Sequence, residues 1–128
     1  MSAGFAADDP ELSDPEITDE FVQAQVARHR WFWILLLKAG PRDDFDDAVA
    51  ASLQAAHLRY LFTLRKRGQL TLVGPVRDAG VLGGIGIVTV PTREEAEGLF
   101  ARDPWVVAGG LTVEIRPFFA MPGDCLPG

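Results

Sequence analysis

The sequence has few residues that could bind a metal or form a cross-link. Its single cysteine, Cys125, excludes an intramolecular disulfide framework and is typical of a protein from a reducing compartment. The two histidines, His29 and His57, lie 28 positions apart and lack the spacing of metal ligands. Cys125 has no evident base near it, so a catalytic thiol is not expected either. We expect neither a metal nor a cofactor.

The sequence also lacks a long apolar run and any basic residue near its N-terminus. The longest unbroken apolar run, Trp31 to Leu37, has seven residues, whereas a membrane-spanning helix needs about twenty. The first twenty residues contain seven acids and no lysine or arginine, and they have no apolar segment of the kind found in secretion signals. We therefore expect a soluble, cytoplasmic protein that has no membrane partner.

The acidic charge is concentrated at one end of the chain. The formal net charge is −6, but seven of the eighteen acids precede residue 21, so residues 21–128 carry about +1. A nearly neutral domain lacks the basic groove on which nucleic-acid binding depends, so no nucleic-acid partner is expected. We predict an acidic extension at 1–30 with a short helix at 19–28, a domain at 31–119 and a Pro/Gly-rich tail at 120–128.

The sequence of the domain predicts strands and helices in the order β-α-β-β-α-β. The second helix begins at Thr92 and Glu95, which have the spacing of a capping box, and ends before Pro104. The predicted elements are a strand at 31–38, a helix at 43–67, strands at 70–73 and 84–90, a helix ending at 102 and a strand at 111–119. This order predicts an α+β, ferredoxin-like fold with a four-stranded antiparallel sheet.

The first predicted strand is apolar on both faces. One face carries Trp31, Trp33, Leu35 and Leu37, and the other carries Phe32, Ile34 and Leu36. Two helices cover only one face of the sheet, and soluble proteins rarely leave a large apolar face in water. We therefore expect a homodimer through the open sheet face. The alternative is that the helix predicted at 19–28 folds over that face.

His57 and Asp103 are the most informative polar residues. His57 shares a helical stripe with leucines, so it points towards the sheet, and Asp103 lies where the second helix must end. A carboxylate beside an imidazole fixes its tautomer, and such a pair at the edge of an apolar pocket can transfer protons. The alternatives are that His57 is a hydrogen-bonded core residue and that Asp103 is only a turn residue before proline.

Several short motifs occur in a fixed order along this domain. The first half carries His57-Leu58-Arg59-Tyr60-Leu61, Gly68-Gln69-Leu70 and Gly74-Pro75. The second half carries Asp103-Pro104-Trp105, Gly110-Leu111 and Arg116-Pro117-Phe118. Over about residues 31–119 this ordered set resembles the YciI-related (YCII-domain) family.

The resemblance implies a dimeric α+β barrel with His57 and Asp103 as its active-site pair. Relatives include lyase-type enzymes that act on chlorinated muconolactones, and the wider fold includes muconolactone isomerases. This chain departs from the family pattern in its 30-residue N-terminal extension and in a short turn before the third strand. Because the extension could narrow a pocket, the resemblance does not imply a particular substrate.

Two other clusters are better explained by local structure than by ligand binding. Gly80, Gly83, Gly84 and Gly86 lead into a strand, whereas a dinucleotide-binding glycine motif opens a helix. Asp43, Asp44, Asp46 and Asp47 lack the alternation of a calcium loop and are expected in the first turn of the long helix.

His57, Asp103 and the family resemblance together predict a small cofactor-independent enzyme, a lyase or isomerase acting on a carbonyl or lactone-like molecule. His57 is the predicted general base and Asp103 orients it. Tyr60 and Trp105 are predicted to wall the pocket, and Gly74 and Pro75 to shape its rim. The alternatives are a non-catalytic dimeric module that binds a small molecule, and a purely structural dimer in which His57 is packed in the core.

Overall fold

The computed structural model describes residues 9–128, and this part of the chain divides into two compact units. One is Trp31–Phe119, and the other combines the described part of Met1–Arg30 with Ala120–Gly128. The elements are α1 (Asp19–Val26), β1 (Arg30–Ala39), α2 (Asp47–Lys66), β2 (Leu70–Pro75), β3 (Leu82–Val88), α3 (Arg93–Phe100), α4 (Pro104–Val107) and β4 (Leu111–Ala120). Within residues 9–128, no helix has both the length and the apolar character needed to cross a bilayer.

The four strands form one sheet in the order β2-β3-β1-β4. Strand β3 pairs antiparallel with both β1 and β2, and Ile34 of β1 lies opposite Ile87 of β3. The predicted α+β architecture with a four-stranded antiparallel sheet is confirmed. The long strand β1 lies in the interior of the sheet, as its apolar residues on both faces require.

Alternation along the strands separates a helix-covered face from an open one. Leu35 and Leu37 of β1 are buried with Leu64 of α2 and Phe100 of α3 in the core. Gly84 and Gly86 lie opposite Leu37 and Leu35 on β3, and a Cβ at Gly86 would lie 3.2 Å from the Leu35 side chain. These glycines therefore let the core leucines pack closely on the sheet.

The open face of the sheet consists of the alternate residues of the same strands. Phe32, Ile34 and Leu36 of β1 are half-buried, as are Ile85 and Ile87 of β3. At the end of this face the Lys38 ammonium lies 2.5 Å from Glu114 Oε1 on β4. The open face is thus apolar in its middle and charged at one edge.

Helix α2 begins four residues later than predicted. Asp46 is its N-cap, with a side chain that accepts a hydrogen bond from the Val49 amide, so Asp43 and Asp44 precede the helix. The helix ends at Lys66, and Gly68, whose φ of 74° favours glycine, follows its C-cap Arg67. The predicted buried stripe holds at His57, Leu61 and Leu64 but not at Val49 or Ala56, which are exposed because they lie beyond the edge of the packed face.

Helix α3 has both halves of the predicted capping box. Thr92 Oγ1 accepts from the Glu95 amide at 3.1 Å, and the Glu95 carboxylate accepts from the Thr92 amide at 3.1 Å. The helix ends at Phe100, two residues before the predicted end. A new short helix, α4, starts at Pro104 with Asp103 as its N-cap, so Asp103 begins a helix that was not predicted.

The second unit contains α1. The Thr18 hydroxyl caps this helix by accepting from the Phe21 amide at 3.1 Å. The helix ends at Val26 instead of the predicted residue 28. None of its residues is buried, and its apolar side chains Phe21, Val22 and Val26 are exposed.

Candidate active site

A cavity of about 680 Å³ lies within Trp31–Phe119, between α2 and one end of the sheet. It forms where β1 and β2 end and β3 and β4 begin. Gly83 and Gly84 are among the residues that line it, and they add no side chains to that part of the wall. Of the residues predicted for the site, the cavity wall includes His57, Trp105, Gly74 and Pro75.

The imidazole of His57 is paired with the carboxylate of Asp103. His57 Nδ1 lies 2.6 Å from Asp103 Oδ2, although the two residues are 46 positions apart. The Asp103 side chain is fully buried, and the His57 side chain is 10% exposed. A buried carboxylate at this distance fixes the imidazole orientation and favours the tautomer with the proton on Nδ1.

The backbone at the start of α4 holds the Asp103 carboxylate in position. Asp103 Oδ1 accepts hydrogen bonds from the amides of Trp105 at 2.9 Å and Val106 at 3.4 Å. One oxygen therefore caps α4 while the other binds His57. These hydrogen bonds satisfy both oxygens of the fully buried carboxylate.

The second ring nitrogen of His57 is available to a bound molecule. His57 lines the cavity, and within residues 9–128 no group hydrogen bonds to its Nε2 atom. In the neutral imidazole with its proton on Nδ1, Nε2 carries the lone pair. This arrangement can accept a proton from a molecule in the cavity and return it to another atom.

Trp105 forms one wall of the cavity through three contacts. Its Nε1 donates to Gln54 Oε1 at 2.9 Å, and its ring meets that of Phe45 edge to face at 5.3 Å. Gly110 lies directly beneath the indole, where a Cβ would come within 2.5 Å of the ring. The wall is thus fixed by α2 on one side and by the residue before β4 on the other.

Comparison with protein families gives a match over residues 32–119 to the model of the YCII-related domain. The chain belongs to this family. A search of the curated proteins gave no match.

Two solved structures have the same fold as this YCII-related domain. One is 5-chloro-2-hydroxyhydroquinone dehydrochlorinase (TftG) from Burkholderia phenoliruptrix AC1100, in complex with 2,5-dihydroxybenzoquinone, with 22% identity and a TM-score of 0.50 over 66% of this chain and 90% of that one. The other is muconolactone isomerase, with 18% identity and a TM-score of 0.56 over 76% of this chain and 97% of that one. At these identities the likeness shows the fold alone.

Tyr60 of this YCII-related domain does not line the cavity, contrary to the prediction. Its hydroxyl donates to the Leu99 carbonyl at 2.6 Å and so ties α2 to α3. Burial raises the pKa of this hydroxyl above its ordinary value. Tyr60 lies three positions after His57 and so differs from it by only about 60° around the helix, and the hydrogen bond to Leu99 holds its phenol against α3.

The cavity of the YCII-related domain also contains polar residues that sequence reasoning missed. Gln54, Arg65 and Arg77 line it, the first two from α2 and the third from the turn after β2. A signal for the first two was present, because Gln54, His57, Leu61 and Arg65 follow the three-four spacing of one helix face. Arg77 has no comparable signal, since its position depends on the β2–β3 turn.

No metal site is apparent in the described part of the YCII-related protein. Within residues 9–128, no three His, Cys, Asp or Glu side chains lie close enough together to hold an ion. Cys125 is exposed and unpaired.

Proposed function

We propose that this protein is a cofactor-independent lyase or isomerase that moves a proton on a small carbonyl- or lactone-containing molecule. The observation that carries the proposal is the 2.6 Å contact between His57 Nδ1 and Asp103 Oδ2 at the wall of a 680 Å³ cavity. The pair leaves a proton acceptor, His57 Nε2, facing a space large enough for a small ring.

In the proposed reaction, His57 Nε2 takes a proton from the carbon next to the carbonyl group. The electron pair of the broken C–H bond moves onto the carbonyl oxygen and gives an enolate, and Asp103 stabilises the imidazolium that forms. Return of the proton to a different carbon gives an isomerase. Loss of a leaving group from the neighbouring carbon, with its bonding electron pair, gives a lyase.

The activities named for the two solved structures agree with this reaction class. Dehydrochlorination removes a proton and a chloride, and isomerisation of a lactone can proceed by moving a proton. The apolar part of the cavity wall, with Leu61 and Trp105, supports the proposal further because it restricts water around the reacting carbon.

We also propose that the protein is a homodimer through the open sheet face. Phe32, Ile34 and Leu36 of β1 and Ile85 and Ile87 of β3 form a continuous apolar strip on this face. Face-to-face packing with a second copy would remove the strip from water, and a two-fold axis is the commonest way to do so. Measurement of the molar mass in solution tests this proposal.

Deuterium exchange tests the proposed chemistry without knowledge of the product. The enzyme is incubated in D₂O with a panel of small lactones, cyclic ketones and hydroxyquinols, and loss of the C–H signal next to the carbonyl is followed by NMR. We expect exchange with the natural protein for at least one compound. His57→Ala should slow it by about 10²- to 10⁴-fold, because the general base is lost.

Two further variants separate the proton-transfer role from a packing role. Asp103→Asn retains a capping oxygen for α4 but can donate its amide to His57 Nδ1, which puts the ring proton on Nε2. Exchange should then fall as it does in His57→Ala, while α4 remains formed. His29→Ala, in the other unit, is the control and should exchange at the natural rate. Normal exchange by His57→Ala contradicts the proposal, and tight binding with no exchange in the natural protein favours a binding module.

A further inference from the structure

The side-chain amide of Gln54 lies on the cavity wall, about one helical turn before His57. We propose that its nitrogen donates a hydrogen bond to the carbonyl oxygen of the substrate and stabilises the negative charge that this oxygen acquires when His57 removes the proton. The proposal rests on the proposed reaction for the origin of that charge. In that step the proton moves to His57 Nε2 and the electron pair of the C–H bond moves to the oxygen, so Gln54 donates a hydrogen bond and transfers no proton.

The contact with Trp105 determines which way the Gln54 amide faces. Trp105 Nε1 lies 2.9 Å from Gln54 Oε1. An indole nitrogen can only donate a hydrogen bond, so the atom of Gln54 that meets it has to be the amide oxygen. The amide nitrogen, Gln54 Nε2, keeps two N–H donors, and within residues 9–128 no group accepts a hydrogen bond from it. The amide is therefore fixed by its oxygen and able to donate through its nitrogen.

Two side-chain contacts between the same pair of helices hold this amide next to the imidazole. Gln54 and His57 are three residues apart on α2, so they share one face of the helix with their Cβ atoms about 5–6 Å apart. Their partners, Trp105 and Asp103, are two residues apart at the start of α4. The contacts measure 2.9 Å for the first pair and 2.6 Å for the second. Neither side chain can turn away from α4 without losing its partner, so donor and base stay side by side.

The spacing of the two residues suits a carbonyl group and the carbon next to it. In such a molecule the carbonyl oxygen lies about 2.4 Å from the neighbouring carbon. A hydrogen bond to the oxygen and a proton transfer from the carbon each need an approach of about 3 Å, so they join a donor and a base that are about 5–8 Å apart. Neighbouring positions on one helix face have a separation of this size. One small molecule can therefore reach Gln54 and His57 together.

A neutral amide suits this position better than a charged donor does. A cation beside His57 would disfavour the imidazolium that forms during proton transfer, whereas an amide adds no such repulsion. Arg65 and Arg77 also line the cavity and are exposed, but no printed contact ties either of them to α4 beside the imidazole. The Arg65 guanidinium instead lies over the Phe62 ring, 5.8 Å from its centroid. Gln54 can therefore stabilise the enolate without weakening the base.

NMR of the side-chain amides tests whether Gln54 binds the carbonyl oxygen. The chain has no asparagine and four glutamines, so ¹⁵N-labelled protein gives only four side-chain amide signals, and Gln54→Glu identifies the signal of Gln54 by its loss. The small lactones, cyclic ketones and hydroxyquinols of the exchange panel are titrated into the natural protein. We expect at least one compound to shift the Gln54 amide protons downfield in a saturable way and to leave those of Gln23 unchanged. An unshifted Gln54 signal with every compound contradicts the inference.

Two substitutions of Gln54 separate the catalytic role from support of the Trp105 wall. Gln54→Glu keeps an oxygen for Trp105 Nε1 and loses the N–H donors, whereas Gln54→Met loses both. Each should slow deuterium exchange by about 10- to 100-fold, less than an enclosed oxyanion donor would, because Gln54 is exposed. Trp105 fluorescence should change only in Gln54→Met. Since a carboxylate also favours the charged imidazole, rates are compared on the alkaline plateau, where His57 is neutral.

The outcomes distinguish this inference from the proposed reaction. Gln23→Glu makes the same chemical change at an exposed position of α1 and should exchange at the natural rate. If Gln54→Glu also exchanges at the natural rate and only Gln54→Met is slow, Gln54 merely supports the wall, and the inference is wrong while the reaction stands. A shifted Gln54 amide without exchange in the natural protein supports carbonyl binding by Gln54 and contradicts the reaction.

Discussion

At the scale of single residues, Asp103 shows how one buried group can link a fold to its chemistry. Its two oxygens face different partners, the imidazole of His57 and the first amides of α4. Any displacement of α4 therefore moves the group that orients the imidazole. A fully buried carboxylate without these donors would be strongly destabilising, so the His57 pair and the helix cap depend on each other.

Tyr60 makes the free energy of unfolding depend on pH, and the ionisation of its phenol can be followed by absorbance. It is the sole tyrosine of the chain, and burial raises its pKa above about 10, with Asp103 acting in the same direction and Arg102 and Arg67 opposing. The folded protein thus holds the phenol proton more tightly than the unfolded chain does. This contribution to the free energy of unfolding is complete below about pH 10 and is lost as the pH rises through the raised pKa.

Replacement of Tyr60 by phenylalanine tests that contribution. Tyr60→Phe leaves the Leu99 carbonyl without its donor and should lower the free energy of unfolding by about 1 kcal/mol at neutral pH. Its stability should also fall less than that of the natural protein above about pH 10. Chemical denaturation at a series of pH values gives both quantities. A phenolate absorbance that develops at the same pH in folded and denatured protein would contradict the assignment.

At the scale of elements, the parts of the fold with strong local signals could be predicted and the others could not. The capping box at Thr92 and Glu95 indicated α3, and the unbroken apolar run from Trp31 to Leu37 indicated β1. Helix α4 has only four residues, too few for a periodic pattern. The start of α2 was misjudged because four aspartates in five positions all favour an N-cap, and only tertiary packing selects Asp46.

The same division applies to the candidate site. The helical stripe indicated that His57 faces the sheet, but its pairing with Asp103 across 46 positions was implied by the family resemblance rather than by spacing. The stripe also misplaced Tyr60, because positions three apart still differ by about 60° around the helix and the contact with Leu99 of α3 places the phenol outside the cavity wall. Arg77 depends on a turn whose path no local pattern defines.

The contact between Gly110 and Trp105 is a sensitive point of the cavity wall. Gly110→Ala puts a Cβ about 2.5 Å from the indole, which is backed by Phe45, so the ring must move. We expect a loss of about 1–3 kcal/mol in the free energy of unfolding, together with a changed Trp105 fluorescence as its bond to Gln54 breaks. Denaturant titration followed by fluorescence measures both effects.

A second glycine provides the control for that substitution. Gly98 lies within α3 and is exposed, and a Cβ added there would have no other atom within 4 Å. Gly98→Ala should therefore stabilise the protein by about 0.5–1 kcal/mol through helix propensity and leave the fluorescence unchanged. If both substitutions behave alike, close packing of Trp105 on Gly110 is not what fixes the wall.

At the scale of the whole molecule, the net negative charge and the apolar sheet face belong to different parts of the chain. The net charge of −6 arises from the first twenty residues, whereas the sheet unit has one face covered by helices and one apolar face without such a cover. The cavity lies on the helix side, so pairing of two open faces would leave His57 accessible. A dimer and an active site are therefore compatible in this fold.

A charge in the middle of the open face should separate the proposed dimer. Ile34 lies on β1 directly opposite Ile87 of β3, at the centre of the apolar strip. Ile34→Asp would place a carboxylate between two apolar sheets, where desolvation costs several kcal/mol. We expect light scattering to give twice the chain mass for the natural protein and the single chain mass for the variant.

The matched control places the same charge on the other side of the sheet unit. Val49 is an exposed apolar residue in the first turn of α2, where an added carboxylate also suits the helix dipole. Val49→Asp should therefore remain a dimer, and circular dichroism should show both variants folded.

A natural protein that elutes as a monodisperse monomer would contradict the dimer, and would favour the alternative in which another segment of the same chain covers the apolar strip. If instead Ile34→Asp remains a dimer, the subunits associate through a different surface, and the open face needs another cover.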